Sequence, residues 1–243
     1  MVAVGFIDPR DEHPQAVCLL KETCFVIRDY TDWRDIEYRP AIPTLPPHSL
    51  VPFLRPQDRV LEVGCNVGAV TRFLARHVCH VTGVDINPTA IDVARSQPVD
   101  PLLTERISFV AADFLNWTWD RPFDVVVLIR VVGCFSESQS WLEIVRRSKE
   151  ALRKEGLLYV HDFLTFEESY RSRYEEGERA GWRRGNFPVR DAAGRLQCVA
   201  HHHSEDEVAQ IAAGCSVLAR VDHETLSMNG NRGRMFELIA RRN

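Results

Sequence analysis

The sequence predicts an α/β fold: a three-layer sandwich with helices on both faces of a mostly parallel sheet. Three observations predict it. From Arg59 onward, short apolar and β-branched runs alternate with stretches of helical periodicity. The first of these runs enters its helix through a bend carrying two glycines. The last two runs flank a loop containing Asn229-Gly230-Asn231 and read as a hairpin, which adds an antiparallel strand to the parallel sheet.

Length fits one domain with an insertion, since the chain has 243 residues. Residues 1–58 read as an amino-terminal arm, and residues 59–243 as the domain, with an inserted lid at about 163–200. Within the arm, Cys24-Phe25-Val26-Ile27 is a short strand or part of a buried turn. Asp35–Pro47 carries four prolines, which forbid regular structure. His48–Leu54 reads as a short helix leading into the first strand.

Val60-Leu61-Glu62-Val63 is the first strand, and Gly64-Cys65-Asn66-Val67-Gly68 is the bend. Val70, Phe73 and Leu74 give the helix its apolar stripe. A strand feeding a helix through glycines is a nucleotide-type binding turn, because free N–H groups at the helix start face the crevice and a Cβ would hold the backbone away from a ligand. The next strand, His80–Val84, stops at Asp85, an acid placed to accept ribose hydroxyls. The glycine spacing, G-x-x-x-G, is not the G-x-G-x-x-G of dinucleotide sites. Cys65, inside the bend, is either a contact to the cofactor or a small buried filler.

Asn87 caps a helix with Pro88 at its first position, running to about Ser96. A polar connection over Gln97–Arg106 leads to strand three, Ile107–Ala111, with Asp113 just beyond its end. Trp117 and Trp119 read as a packing edge or a substrate cage. Strand four, Phe123–Ile129, ends abruptly at Arg130. A cation is rejected by a doubly covered strand interior, so Arg130 belongs at the rim, facing cofactor or substrate, or else pairing with Glu137. An amphipathic helix, Trp141–Leu152, begins near Ser138, and strand five, Leu157–His161, ends in His161-Asp162 beside the expected reaction point.

The segment Phe163–Ala200 exceeds what a simple connection needs. Residues 171–195 hold seven arginines against four acids, and the segment reads as a lid over the crevice or a solvated insertion. His201-His202-His203 follows. On a strand, residues 201 and 203 share a face while 202 points away, so the triplet does not close on one ion without outside ligands, and no metal is expected. Ser204 and Glu207 form a capping box for a helix over Glu205–Ala213.

A net charge of −4 leaves no basic footprint for bulk nucleic-acid binding. Seven scattered cysteines with no C-x-x-C pair point to reduced thiols and a cytoplasmic setting. The polar start of the chain lacks the pattern of a secretory signal, and Val125–Ile129 is far short of a membrane span, so a soluble protein is expected. Oligomeric state has no signature in the sequence.

Four motifs in order over roughly residues 55–163 resemble the class I S-adenosylmethionine-dependent methyltransferases. Glu62-Val63-Gly64 through Gly68 resembles motif I, with Asn66 in place of the middle glycine; Asn is the residue that best tolerates a left-handed backbone. Val81–Asn87 resembles motif II, Val110–Leu115 motif III, and Leu152–Val160 the turn into the fifth strand, with Lys154-Glu155-Gly156 replacing Pro-Gly-Gly. The resemblance implies a Rossmann-like, seven-stranded sheet with an antiparallel last strand, and S-adenosyl-L-methionine as cofactor. It places Asp85 on the ribose, Ile86 against the adenine, Asp113 on the adenine amino group and Phe114 as a backbone contact. It also makes Tyr38 and Arg39 candidates to cover the methionine end of the cofactor, although Tyr38 packing on the domain edge is the plainer reading.

The leading expectation is methyl transfer to a small-molecule acceptor through oxygen or nitrogen. RNA methylation and a non-catalytic, S-adenosylmethionine-binding regulatory role are the alternatives. A base is required only for an acceptor that holds a proton at neutral pH, and the candidates are Arg130, Asp162, His201 and His203.

Overall fold

The structure, a computed structural model, describes residues 33–34, 46–136, 138–190, 193–226 and 231–243. The parallel strands are β1 (Arg59–Val63), β2 (His80–Asp85), β3 (Ile107–Ala111), β4 (Phe123–Ile129) and β5 (Leu152–Leu164). Helix α1 (Ala69–Leu74) follows β1, α2 (Pro88–Ser96) follows β2, and α3 (Ser138–Ala151) precedes β5. After β5 come α4 (Glu167–Arg179), the strands β6 (Asn186–Arg190) and β7 (Leu196–His201), and α5 (Glu205–Ala212). The chain closes with β8 (Cys215–Leu226) and β9 (Arg232–Arg242). The expected short helix before β1 is a 3₁₀ turn, His48–Phe53.

Seven strands form one sheet in the order β3-β2-β1-β4-β5-β9-β8. Only β9 runs against its neighbours, pairing antiparallel with both β5 and β8. This is the seven-stranded, Rossmann-like arrangement that the motifs imply. Strand alternation sends Leu61, Val126, Leu128, Leu158 and Val160 to one face, where α3 and α5 supply Trp141, Ile144, Val208 and Ile211. Val60, Val125, Val127 and Tyr159 meet the other face, covered by α1 and Leu50. Burial on both faces is why the central strands are almost continuously apolar.

Local chemistry sets the helix starts. The Asn87 side chain accepts from the Ala90 amide at 3.1 Å, with Pro88 at the first helical position. Ser204 and Glu207 form both bonds of the capping box. Strand five differs from its expected Leu157–His161. It begins at Leu152, which pairs with Phe123 of β4; residues 153–156 bulge out before pairing resumes at Leu157 opposite Val125. Glu155 there takes a left-handed backbone, φ 61°, where the family pattern has glycine.

The insertion has structure of its own. Helix α4 packs on the β6–β7 hairpin through Tyr170, Tyr174 and Phe187. His203 then bridges back to Leu164 at the end of β5. Most of the proposed arm over residues 1–58 lies outside the described residues.

Candidate functional site

The carboxyl ends of β1, β2, β3 and β4 lie along one edge of the sheet, and the bend after β1 crosses it. Gly64, Asn66 and Gly68 all adopt positive φ, at 71°, 48° and 75°. Asn66 therefore occupies the left-handed conformation for which Asn was expected to substitute for glycine. The Gly64 and Cys65 amides donate to the Val84 carbonyl at 2.8 and 3.1 Å, pinning the bend to β2. The Asn66 amide donates to Asp85 Oδ2 at 2.7 Å, and the Asn87 amide to Asp85 Oδ1 at 2.9 Å. Burial raises the Asp85 carboxyl above its ordinary range, against the pull of these amides. One amide on each oxygen leaves further lone pairs for a ligand's hydroxyls.

The two glycines have a different physical reason from the expected one. A Cβ on Gly64 would sit 2.5 Å from Val131 Cγ2, and one on Gly68 would sit 2.4 Å from the Phe109 ring. Both make room for the protein's own side chains, so close approach by a ligand is not what demands them. Gly64 nevertheless remains exposed and Asn66 half-buried, so the outer side of the bend is open.

Beneath the bend, Glu62 is buried, accepts the Thr71 hydroxyl and has its carboxyl pushed up to about 8 by burial. It joins β1 to α1. Cys65 turns inward, with its Sγ 2.9 Å from where a Cβ on Gly83 would lie, and burial raises its thiol well above the usual range. Ile86 is half-buried. Asp113 is half-buried and accepts from the Leu115 amide at 3.1 Å and from Asn116 Nδ2 at 2.6 Å. The Phe114 ring is buried and stacks on Trp119 at 6.0 Å, which places Trp119 in a packed edge with Arg147 over its ring at 4.7 Å.

Arg130 stands one residue past β4, half-buried, with φ 55° and its amide donating to the His161 carbonyl at 2.8 Å. A left-handed backbone is uncommon for arginine. The alternative pairing with Glu137 lies outside the described residues, as do Tyr38 and Arg39.

The other base candidates form a separate, interior group. Asp162 is 2 % exposed, and its carboxylate accepts from the Gly133 and Phe163 amides, both at 2.9 Å. Burial works to raise this carboxyl, but His203 and the two amides hold it below the ordinary range. His201 and His203, 1 % and 0 % exposed, share a face with rings 4.9 Å apart. His201 Nδ1 meets Asn186 Oδ1 at 2.8 Å and its Nε2 meets Glu207 Oε2 at 3.1 Å. Against the burial that raises it, His201, the Ser204 amide and Arg183 hold Glu207 down at about 2. His202 points away as expected, into a cage of Tyr170, Tyr174, Phe187 and Phe163, and burial lowers its ring to about 3.

The insertion rests on the loop after β4. Asn186 Nδ2 donates to the Ser136 carbonyl at 2.9 Å, and the His201 carbonyl lies 2.8 Å from where a Cβ on Gly133 would lie. Sequence reasoning missed Thr71, Val131 and Phe109. Val131 and Phe109 contact the bend from far along the chain, while Thr71 reaches from α1 to Glu62 on β1, and none has a local signature.

Comparison with known proteins agrees with this architecture. Residues 60–156 match the family model of a methyltransferase domain. Carboxy-S-adenosyl-L-methionine synthase of Aeromonas hydrophila is 27% identical over 121 residues, 48% of each chain. Nodulation protein S of Rhizobium tropici is 36% identical over 77 residues, 32% of this chain and 31% of its own. The chain spans about half the length or less of these curated relatives. A SAM-dependent methyltransferase of Methanosarcina mazei superposes with a TM-score of 0.74 at 24% identity, over 80% of this chain and 97% of its own. The N-methyltransferase NodS of Bradyrhizobium japonicum, solved with S-adenosyl-L-homocysteine, gives 0.51 at 21%, over 76% and 78%.

Proposed function

We propose that the chain, whose residues 60–156 match the family model of a methyltransferase domain, transfers a methyl group from S-adenosyl-L-methionine to a small-molecule acceptor through an oxygen or nitrogen nucleophile. The observation that carries this reading is the Asp85 carboxylate, anchored at the rim by the Asn66 amide beside an exposed Gly64. Relatives named for small-molecule chemistry, such as N-demethylindolmycin N-methyltransferase of Streptomyces griseus, support the acceptor class.

The cofactor, when bound, supplies a methyl group already activated on a sulfonium. Asp85 would hold the ribose hydroxyls, Ile86 and Asp113 the adenine, and the backbone of Gly64, Asn66 and Gly68 the rest. Arg130 is the charged rim group placed to orient the acceptor. Tyr38 and Arg39 remain the proposed cover. Alignment and exclusion of water are the protein's main contribution, since the displacement needs little else. Buried as they are, Asp162, His201 and His203 are assigned to positioning the loop after β4, and Glu62 and Cys65 to supporting the bend. The insertion is the proposed lid.

Arginine pairing weighs against RNA as the acceptor: Arg190 engages Glu176, Arg232 engages Glu224 at 2.6 Å, and Arg234 engages Asp222 at 2.5 Å. A cytoplasmic, reducing setting fits the five described cysteines, all free thiols. Among the described residues no helix is long and apolar enough to cross a membrane.

The test is transfer of a labelled methyl group from S-adenosyl-L-methionine to a cell extract split into small-molecule and RNA fractions. Label in the small-molecule fraction is expected. Label confined to RNA overturns the acceptor class.

A further inference from the structure

Besides the rim residues, the sheet face that carries α1 holds a polar cluster that the proposed reaction does not use. Alternation along β5 sends Tyr159 and His161 to this face while Asp162 goes to the other. Glu237 lies directly across from His161 on β9, and His223 comes from β8 one strand further out. The ligand atoms of His161, His223 and Glu237 all lie within 4.8 Å of one another.

Two features make this more than a chance meeting of polar groups. His161 is 6 % exposed, and its Nε2 has no hydrogen-bond partner among the described residues. A buried ring nitrogen left unsatisfied costs free energy unless something fills its place. The Glu237 carboxylate, in turn, is already oriented. Its Oε2 accepts from Tyr159 OH at 2.9 Å and from Ser49 Oγ, while its Oε1 lies 3.9 Å from His223 Nδ1. Hydrogen bonds that fix one oxygen of a carboxylate and leave the other free are the outer support that metal-binding carboxylates have.

Among the described residues a second His–His–Glu group, His201, His203 and Glu207, also holds ring nitrogens without a hydrogen-bond partner, both on His203, but its other two members are already engaged. Both nitrogens of His201 are committed, to Asn186 and Glu207, and Glu207 is taken by Arg183 and the capping box. Binding an ion there would break bonds already made.

We infer that His161, His223 and Glu237 form a site for one divalent metal ion of the zinc type, with Tyr159 and Ser49 as its outer support. Two imidazoles and a carboxylate suit zinc, and three protein ligands leave a fourth position for water or an acceptor oxygen. Ligand bonds of about 2.0–2.2 Å require the three side chains to draw together slightly on binding. The amide of Arg130 donates to the carbonyl of His161, so the site adjoins the rim of the proposed methyl-transfer site. Metal binding is measured without any methyl donor, so its failure leaves the methyl-transfer reading untouched.

The experiment uses the full chain, stripped with a chelator and titrated with Zn²⁺ by calorimetry and with Co²⁺ by visible absorption. One ion per chain is expected, with the Co²⁺ spectrum of nitrogen and oxygen ligands. His223→Gln, on a strand at the sheet edge with a side chain 30% exposed, is expected to fold normally and to lose at least about tenfold in affinity. Tyr159→Phe is expected to weaken binding less, and His201→Gln not at all. The inference is overturned by absence of saturable binding to the stripped protein. It is equally overturned by thiolate absorption in the Co²⁺ spectrum, or by undiminished affinity in folded His223→Gln.

Discussion

The Asn66 amide donates to the Asp85 carboxylate across 2.7 Å, tying the bend after β1 to the end of β2. One residue supplies a left-handed backbone and the other a rim charge.

Asn66 sits at φ 48°, which a β-branched side chain resists. Asn66→Val is expected to destabilise the chain by about 1–2 kcal/mol, the cost of a left-handed conformation. Asn66→Gly is expected to remain within about 1 kcal/mol of the parent, by the same reasoning. Urea unfolding measures both, and equal losses in the two variants would contradict the assignment.

Gly68 faces the Phe109 ring, with a Cβ position 2.4 Å from its carbons. Gly68→Ala is expected to cost about 1–3 kcal/mol through overpacking and positive φ. Combining it with Phe109→Leu is expected to recover part of that cost, because the two positions are in contact and their effects are not additive. A double-mutant cycle in denaturant reads the coupling, and strict additivity would count against it.

Glu62, raised from 4.5 to about 8 by burial, binds its proton more tightly folded than unfolded. Between those two values the native state holds more protons, so stability falls as pH rises through that window. His202, lowered from 6.5 to about 3 by burial, acts with the opposite sign: its contribution is lost as pH falls from 6.5 toward 3. Above pH 6.5 the histidine contribution is level, and the decline toward pH 8 is Glu62's. Glu62→Gln is expected to flatten that decline in a series of urea melts across this range, and an unchanged slope would refute the buried-acid assignment.

Asn186 joins the insertion to the loop after β4 through Ser136 and holds His201 with its other amide atom. Asn186→Ala leaves both partners unsatisfied, an expected cost of about 1–3 kcal/mol. The loss is expected as local opening of residues 167–203 in hydrogen exchange, with β1 to β4 still protected. Uniform loss of protection would show that the insertion is not a separate unit.

How much of this was legible in the sequence follows from how local each signal is. Strands three and four, α2 with its Asn87-Pro88 start and the Ser204–Glu207 cap have signatures within a few residues, and they stand where the sequence put them. Strand five was read short because Arg153, Lys154 and Glu155 look like a turn; they bulge out of the strand, and Leu152 before them still pairs with Phe123 of β4. The insertion's helix and hairpin were hidden by charged residues around Tyr170, Tyr174 and Phe187, whose contacts form only once the hairpin closes. The rim positions of Asp85 and Arg130 were legible from strand ends. The burial of Asp162, His201 and His203 was not, since it depends on the insertion folding back over Gly133.

Calorimetric titration of the purified chain with S-adenosyl-L-methionine tests the central claim most directly. Saturable binding of one cofactor per chain is predicted, weakened at least about tenfold in Asp85→Ala, the loss of a charge-assisted hydrogen bond of about 1.5–3 kcal/mol. No binding to the intact chain, or equal binding by a folded Asp85→Ala variant, would contradict it.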